Sequence, residues 1–490
     1  MKRPFAWILA IYVILAVGRV FTNNPWCDEG WFFDPVYNWI TKGFAGTTIL
    51  EATGFPWEGI ERHQYWQPPM HLLIHGLWLR IFPLTLFGFR SCSFFAGFIC
   101  LFLWRSLFRY IGLPSAIQNL SLLLVAVDYA YLRAASDGRT DMLAETLGLG
   151  AVIAYLHFRE TNFTLALFLS QFLAVCGGLT HPMGGLIYLA ALGFFFLRNQ
   201  DWRKLRWFHP LLAAIPYILG AVGWGAYIMQ EPETFKKIFF GSSVAGRMNG
   251  IFHPLTSIHR EFLLRYLMPY GWLSTSTVLR IKAVIPFFYF GGVITALLVP
   301  PIRRMKHMRL LFSLWGITFL VLFVFDGQRN GTYLGHIFPY YAAILASVIY
   351  YFWTSTPPVR ALGAAVLAAM LVLQASGSIY IIATNPYRNQ YLAAVEFVKG
   401  HTKPGSYVAA SSEFGFGFGF DNMRDDMTLG FFNHRKPDAI IVESRYRNWF
   451  DDATLNQLPA WQFSANRFRT EYKAAFQNGK YEVYLPLAEP

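Results

Sequence analysis

Stretches of fifteen to twenty-five apolar residues recur along most of the chain, and they restrict what it can fold into. A helix that crosses a bilayer needs about 20 such residues at ~1.5 Å rise each. Eleven stretches read as spans: 4–20, 88–104, 115–133, 142–158, 163–180, 183–197, 210–228, 283–300, 310–325, 337–353 and 359–383. In lipid every backbone polar group must be bonded internally, so these stretches have to be helices. Composition agrees. Hydrophobic residues make up 55% of the 490 positions and charged residues only 14%, against roughly 25% charge in a globular chain. A soluble enzyme, a disordered chain and a disulfide scaffold are excluded. Three of the four cysteines (Cys92, Cys100, Cys176) lie in apolar runs, and Cys27 stands alone in a loop, so no disulfide framework is implied.

The net charge of +13 sits between the apolar runs, which argues for membrane topology and against nucleic acid. One set of short loops holds Lys2, Arg3, Arg105, Arg109, Arg159, Arg198, Arg203, Lys204, Arg206, Arg303, Arg304, Lys306, Arg309 and Arg360. Only Glu160 and Asp201 oppose them. That bias puts these loops and the N-terminus in the cytoplasm, with the first stretch as an uncleaved signal anchor. Eleven spans then leave the C-terminus outside. The apolar segment 68–82 is too short to cross and would invert every later basic loop if it did. It reads as a helix at the outer interface. The expected fold is a polytopic α-helical membrane protein, with a transmembrane domain over 1–384 and long outer loops at 21–87 and 229–282. A small extracytoplasmic α/β domain follows over 385–490. In that tail YLAAVEFVKG reads as a helix ended by Gly400, and SYVAASS, AIIVES and YEVYLPL read as strands. The strictly alternating FGFGFGF at 414–420 reads as a flexible loop.

The outer segments gather the chemistry. Asp28-Glu29 follows the first span directly, placing two carboxylates at the water–lipid boundary, where they suit a general base or simply a helix start. Pro68-Pro69 opens the interfacial helix and stiffens the backbone behind Gln67. His71 and His75 stand four apart, but no acid or cysteine joins them, so they read as interfacial histidines rather than metal ligands. Asp137, Asp141 and Glu145 are spaced by four and would share one helical face, with Arg139 among them. Thr180-His181-Pro182 closes the fifth span. Lys236, Lys237, Arg247, Arg260 and Arg265 face outward against the usual bias and call for an anionic partner, a ligand or lipid headgroups. Arg329, followed by Tyr333 and His336, makes a second outward cationic spot.

In this order the motifs resemble those of the lipid-sugar-dependent glycosyltransferases of the GT-C fold. The bacterial relatives of the protein O-mannosyltransferases and of the lipid A aminoarabinose transferase are most similar. The resemblance rests on Asp28-Glu29, Gln67-Pro68-Pro69, Gly138-Arg139-Thr140-Asp141 and Thr180-His181-Pro182, and it covers roughly 1–350 in layout. It implies a polyprenyl-phosphate sugar donor and a lipid, glycan or protein acceptor at the outer face. It also implies Asp28 as catalytic base and Asp141 as the second acid, orienting a substrate. Glu29, Gln67, Arg139, His181, Tyr333 and His336 are then expected to bind substrate. Gln67 departs from the cationic or imidazole residue usual before the prolines. The first loop has no DxD pair, so a metal-bridged site is not indicated and no cofactor is expected.

Displacement at the sugar C1 requires a base, a charge to meet the leaving phosphate and an apolar groove for the prenyl tail. Arg247 and Arg329 are the candidates for the phosphate. A single displacement inverts the sugar. A glycan ligase, and a transporter or flippase of lipid-linked sugars, are the competing classes. The layout points to a bacterial inner membrane.

Overall fold

The computed structural model describes residues 2–244, 254–274 and 280–487. Every one of the eleven apolar stretches is helical: α1 (Lys2–Thr22), α4 (Leu86–Ile111), the pair α5 (Ser115–Val127) and α6 (Tyr129–Ser136), α7 (Thr140–Phe158), α8 (Phe163–Thr180), α9 (Pro182–Arg198), α10 (His209–Ile228), α11 (Ile285–Leu298), α12 (Met308–Phe325), α13 (Phe338–Trp353) and α14 (Pro357–Thr384). Six described helices are long and apolar enough to cross a bilayer, or seven if a bent pair counts as one. The chain is thus a polytopic helical membrane protein. The bent pair, expected as one uninterrupted span, breaks by 58° at Asp128. That carboxylate caps α6 through the Ala130 and Tyr131 N–H groups, both at 3.0 Å. It also accepts from Tyr289 Oη at 3.0 Å and Gln374 Nε2 at 2.6 Å. A buried carboxylate needs such partners in lipid, and meeting them redirects the backbone.

Two helices follow α1 in the chain: α2 (Cys27–Lys42), ended by left-handed Gly43, and the short α3 (Met70–Trp78). The tail begins with α15 (Ala393–His401), which runs one residue past Gly400. It continues with β1 (Val408–Ala410), β2 (Met423–Arg424), β3 (Ala439–Val442), α16 (Ser444–Asp451), α17 (Pro459–Glu471), β4 (Tyr472–Asn478) and β5 (Tyr481–Pro486). The sheet order is β2-β1-β3-β5-β4, with β1 parallel to both neighbours and β5 antiparallel to both of its own. The tail shares one apolar core with α2, where Phe32, Phe33 and Val36 pack with Val408, Phe414, Phe420 and Tyr481. FGFGFGF is neither strand nor free loop. Residues 412–418 form helical turns, and Phe416 and Phe420 lie 4.8 and 4.9 Å from the Phe33 ring.

Candidate active site at the helix ends

The acidic pair at the start of α2 splits. Glu29 is fully buried, and its two oxygens grip the Arg90 guanidinium at 2.7 Å each. Oε1 also accepts from the Gly138 N–H at 2.8 Å, and Oε2 from the Trp26 N–H at 3.0 Å. Arg90 further binds the carbonyls of Val20, Asn23 and Asn24 at 2.9–3.1 Å. Glu29 therefore fixes the end of α1, the start of α2 and the turn before α7 to one another. Both its oxygens are committed, which corrects its expected place among the substrate ligands.

Asp28 faces the other way, with 21% of its side chain exposed. It forms an ion pair with Arg139, whose Nε holds Asp141 Oδ2 at 2.8 Å. One guanidinium thus ties together both acids expected from the sequence. Trp26 lies under it, 4.6 Å from ring centroid to guanidinium carbon. Asp141 Oδ1 is buried and bonds nothing among the described residues. Asp141 lines a cavity of about 400 Å³ whose walls include Trp26, Tyr129, Arg133, Arg139 and Arg329. A carboxylate oxygen left open in a buried cavity is poised to accept from a substrate hydroxyl.

Behind the cavity, His181 caps α9. Its Nδ1 accepts from the Met183 N–H at 3.2 Å, which leaves the proton of the neutral ring on Nε2, 3.1 Å from Tyr333 Oη. His336 Nδ1 lies 3.2 Å from Tyr188 Oη. His181, Tyr333 and His336 are all buried, and none of them lines the cavity at Asp141.

The expected cationic spots come out differently. Arg329 is buried, with left-handed φ of 57°, and donates to the carbonyls of Phe323 and Asp326. It also lies 3.4 Å from Glu261. Arg265 is paired with Glu261 and, at 2.8 Å, with Asp326. Two arginines thus meet two acids in a neutral cluster, and Arg329 borders the cavity from within it instead of standing near water. Lys236 pairs with Glu233 and Lys237 with Glu58, so these loop cations have protein partners. Arg247 lies outside the described residues. Asp141 and Glu145, four apart in α7, share a helical face as expected, and Asp137 does not join them. Asp137 is extended before α7 and meets Arg133 and Asn23, while Glu145 accepts from Trp104 Nε1 at 2.9 Å. Gln67 borders a second cavity, beside α3. His71 and His75 are buried side by side, not interfacial. Among the described residues no three His, Cys, Asp or Glu side chains gather as a metal site.

Arg90 and Arg133 were missed from sequence. The signal for Arg90 was there, since a lone arginine inside an apolar run asks for a buried acid.

No protein-family profile and no curated protein sequence matches this chain. Solved structures do. ArnT from Cupriavidus metallidurans bound to undecaprenyl phosphate superposes with a TM-score of 0.56 over 99% of this chain and 98% of that one, at 13% identity. The archaeal oligosaccharyltransferase AglB from Archaeoglobus fulgidus, in complex with an inhibitory peptide and a dolichol-phosphate, gives 0.51 over 92% and 71%, at 12% identity. The same organism's oligosaccharyltransferase tethered to an acceptor peptide gives 0.54 over 99% and 74%, at 12% identity. The architecture is the GT-C fold of lipid-phosphate-sugar glycosyltransferases. At such identities the likeness is one of fold.

Proposed function

We propose that this protein is an integral membrane glycosyltransferase that moves a sugar from a polyprenyl-phosphate donor to an acceptor at the extracytoplasmic face, with inversion. The observation that carries the reading is Arg139 bridging Asp28 and Asp141 at a cavity flanked by Arg133. The structures of similar fold hold undecaprenyl phosphate and dolichol-phosphate, which supports this donor class. In this reading all eleven apolar stretches cross a bacterial inner membrane, and 385–490 stands outside as a separate domain.

Asp28 is the base. Its partial exposure lets it exchange protons with water, and it releases Arg139 as the acceptor hydroxyl approaches. The hydroxyl proton passes to Asp28, the acceptor oxygen bonds to C1, and the C1–O bond to phosphate breaks. The electron pair leaves on the phosphate, where Arg133 and Arg139 meet the growing charge. Asp141 Oδ1 accepts from a sugar hydroxyl and orients the ring. No metal is assigned a role.

The test is consumption of labelled polyprenyl-phosphate sugars by purified protein. Wild type should consume one of them, and Asp28→Asn should be slower by about 10²–10⁴-fold. A wild-type rate in that variant would remove Asp28 as base. A sugar covalently attached to Asp28 or Asp141, detected by mass spectrometry, would replace inversion by a double displacement. Consumption of no donor at all would favour glycan ligation or transport.

A further inference from the structure

Several polar groups near the site remain unused. Gln67, His71 and His75 follow one another at four-residue spacing along α3 and the turn before it. Gln67 Oε1, both ring nitrogens of His71 and Nε2 of His75 are buried and bond nothing among the described residues. His71 is only 3% exposed. Buried polar atoms are normally bonded, and unbonded ones on residues that border a cavity, here Gln67 and His71, mark where a ligand can supply the partners.

Gln67 and His71 line a cavity of about 550 Å³ between α2, α3, α8 and α10, distinct from the one at Asp141. Its remaining walls are largely apolar, with Phe32, Trp39, Leu179, Leu219 and Trp224. Leu219 is also 62% exposed on α10, a helix of which little is buried against the protein. The cavity therefore opens sideways, toward lipid. Among the described residues its lining holds one permanently charged side chain, Arg62. Arg62 is held by Glu61 and Glu231, each at 2.9 Å. Burial pushes both imidazoles down, His75 to about 4, so neither is a cation at neutral pH. Neutral imidazoles and an amide each present one donor and one acceptor edge, which suits a hydroxyl. The Phe32 ring lies between His71 and the arginine that bridges the acids, 5.3 Å from the His71 ring and 5.8 Å from the Arg139 guanidinium.

We propose that this cavity is the acceptor site, taking an amphiphile with several uncharged hydroxyls, one of them held by Gln67 and His71 while another extends past Phe32 to Asp28, and with an apolar tail that leaves toward the bilayer past Leu219. The proposal rests on the transferase reading and names its acceptor class. It excludes an acceptor that presents a charged phosphate to this wall.

The experiment uses the full chain in amphipol and a dodecyl glucoside carrying a diazirine in its tail. Saturable photolabelling is expected within 67–73 and 219–227, competed by plain dodecyl glucoside and poorly by dodecyl phosphate. Gln67→Leu and His71→Phe should each weaken that competition by about tenfold or more. If His71→Phe does not fold, Gln67→Leu decides. Labelling elsewhere, equal competition by dodecyl phosphate, or indifference to the variants overturns the site. The assay needs no turnover, so labelling as expected with no donor ever consumed would sink the transferase reading alone and leave a neutral-amphiphile site.

Discussion

Asp28 and Glu29 are neighbours in sequence with opposite surroundings, and substitution should separate them. Arg90→Met leaves Glu29 buried without its cation, which costs roughly 3–5 kcal/mol for a buried pair broken from one side. Its thermal midpoint should fall sharply, while Asp28→Asn, at a partly exposed site, should melt near wild type and lose only turnover. Equal midpoints for Arg90→Met and wild type would show that the pair does not hold the helix ends. The sequence singled out Asp28, Arg139 and Asp141 as short motifs at helix ends, and the fold brings these three side chains together. The sequence could not show that Glu29 is bound by Arg90, 61 residues away inside an apolar run. Asp34 is a second residue whose role only the fold reveals. It is fully buried and accepts from the Ile49 N–H at 2.8 Å, and burial pushes its carboxyl up to about 7. An unfolded aspartate titrates near 3.9, so between about pH 4 and pH 7 the folded chain binds the extra proton. The stabilisation from Asp34 is therefore complete below about pH 4 and is lost as pH rises through about 7. Asp34→Asn should flatten the dependence of the thermal midpoint across that window. An unchanged slope would assign the dependence to other groups.

Elements were predicted well where one period dominates and poorly where distant partners decide. Apolar runs gave helices because lipid leaves the backbone no other choice. The break at Asp128 was hidden, since its partners Tyr289 and Gln374 come from α11 and α14. The alternating phenylalanines of 414–420 suggested a loop, but tilted ring packing against Phe33 of α2 outweighs local preference. The same α2 surface joins the tail to the first outer loop through Asp425. Its carboxylate accepts from Trp31 Nε1 at 3.1 Å, Ser412 N–H at 3.0 Å and Tyr446 Oη at 3.3 Å, and pairs with Arg445. Its backbone exchanges bonds with Ile49 and Glu51 at 2.8 and 3.1 Å. Asp425→Ala should loosen this junction by on the order of 3 kcal/mol. Limited proteolysis should then cut the segment before β1 several-fold faster, with the transmembrane fragment surviving. A cleavage rate equal to wild type would mean that the apolar core shared with α2 holds the tail unaided.

At the scale of the molecule, the argument turns on which side of the membrane each end occupies. The acids, both cavities and the tail lie together, joined by α2, while the basic loops at 198–206 and 303–309 carry the positive-inside signal. The proposed eleven crossings put an odd number between the two groups, whereas an even number would place the tail with the basic loops. Length alone does not decide, because α9, α11 and α13 are shorter than a full bilayer helix and would cross only with local thinning of the bilayer or snorkelling of their flanking residues. Single cysteines can decide, in a background with Cys27, Cys92, Cys100 and Cys176 replaced. Arg206→Cys marks an exposed position on a basic loop, and Asp421→Cys marks the tail, where half of the side chain is exposed. In intact spheroplasts a membrane-impermeant maleimide should label Asp421→Cys and spare Arg206→Cys until the membrane is opened. Labelling of both before opening, or of Arg206→Cys alone, would overturn the eleven-span topology. With it would go the placement of Asp28 on the face where a lipid-linked donor and an outer acceptor can meet.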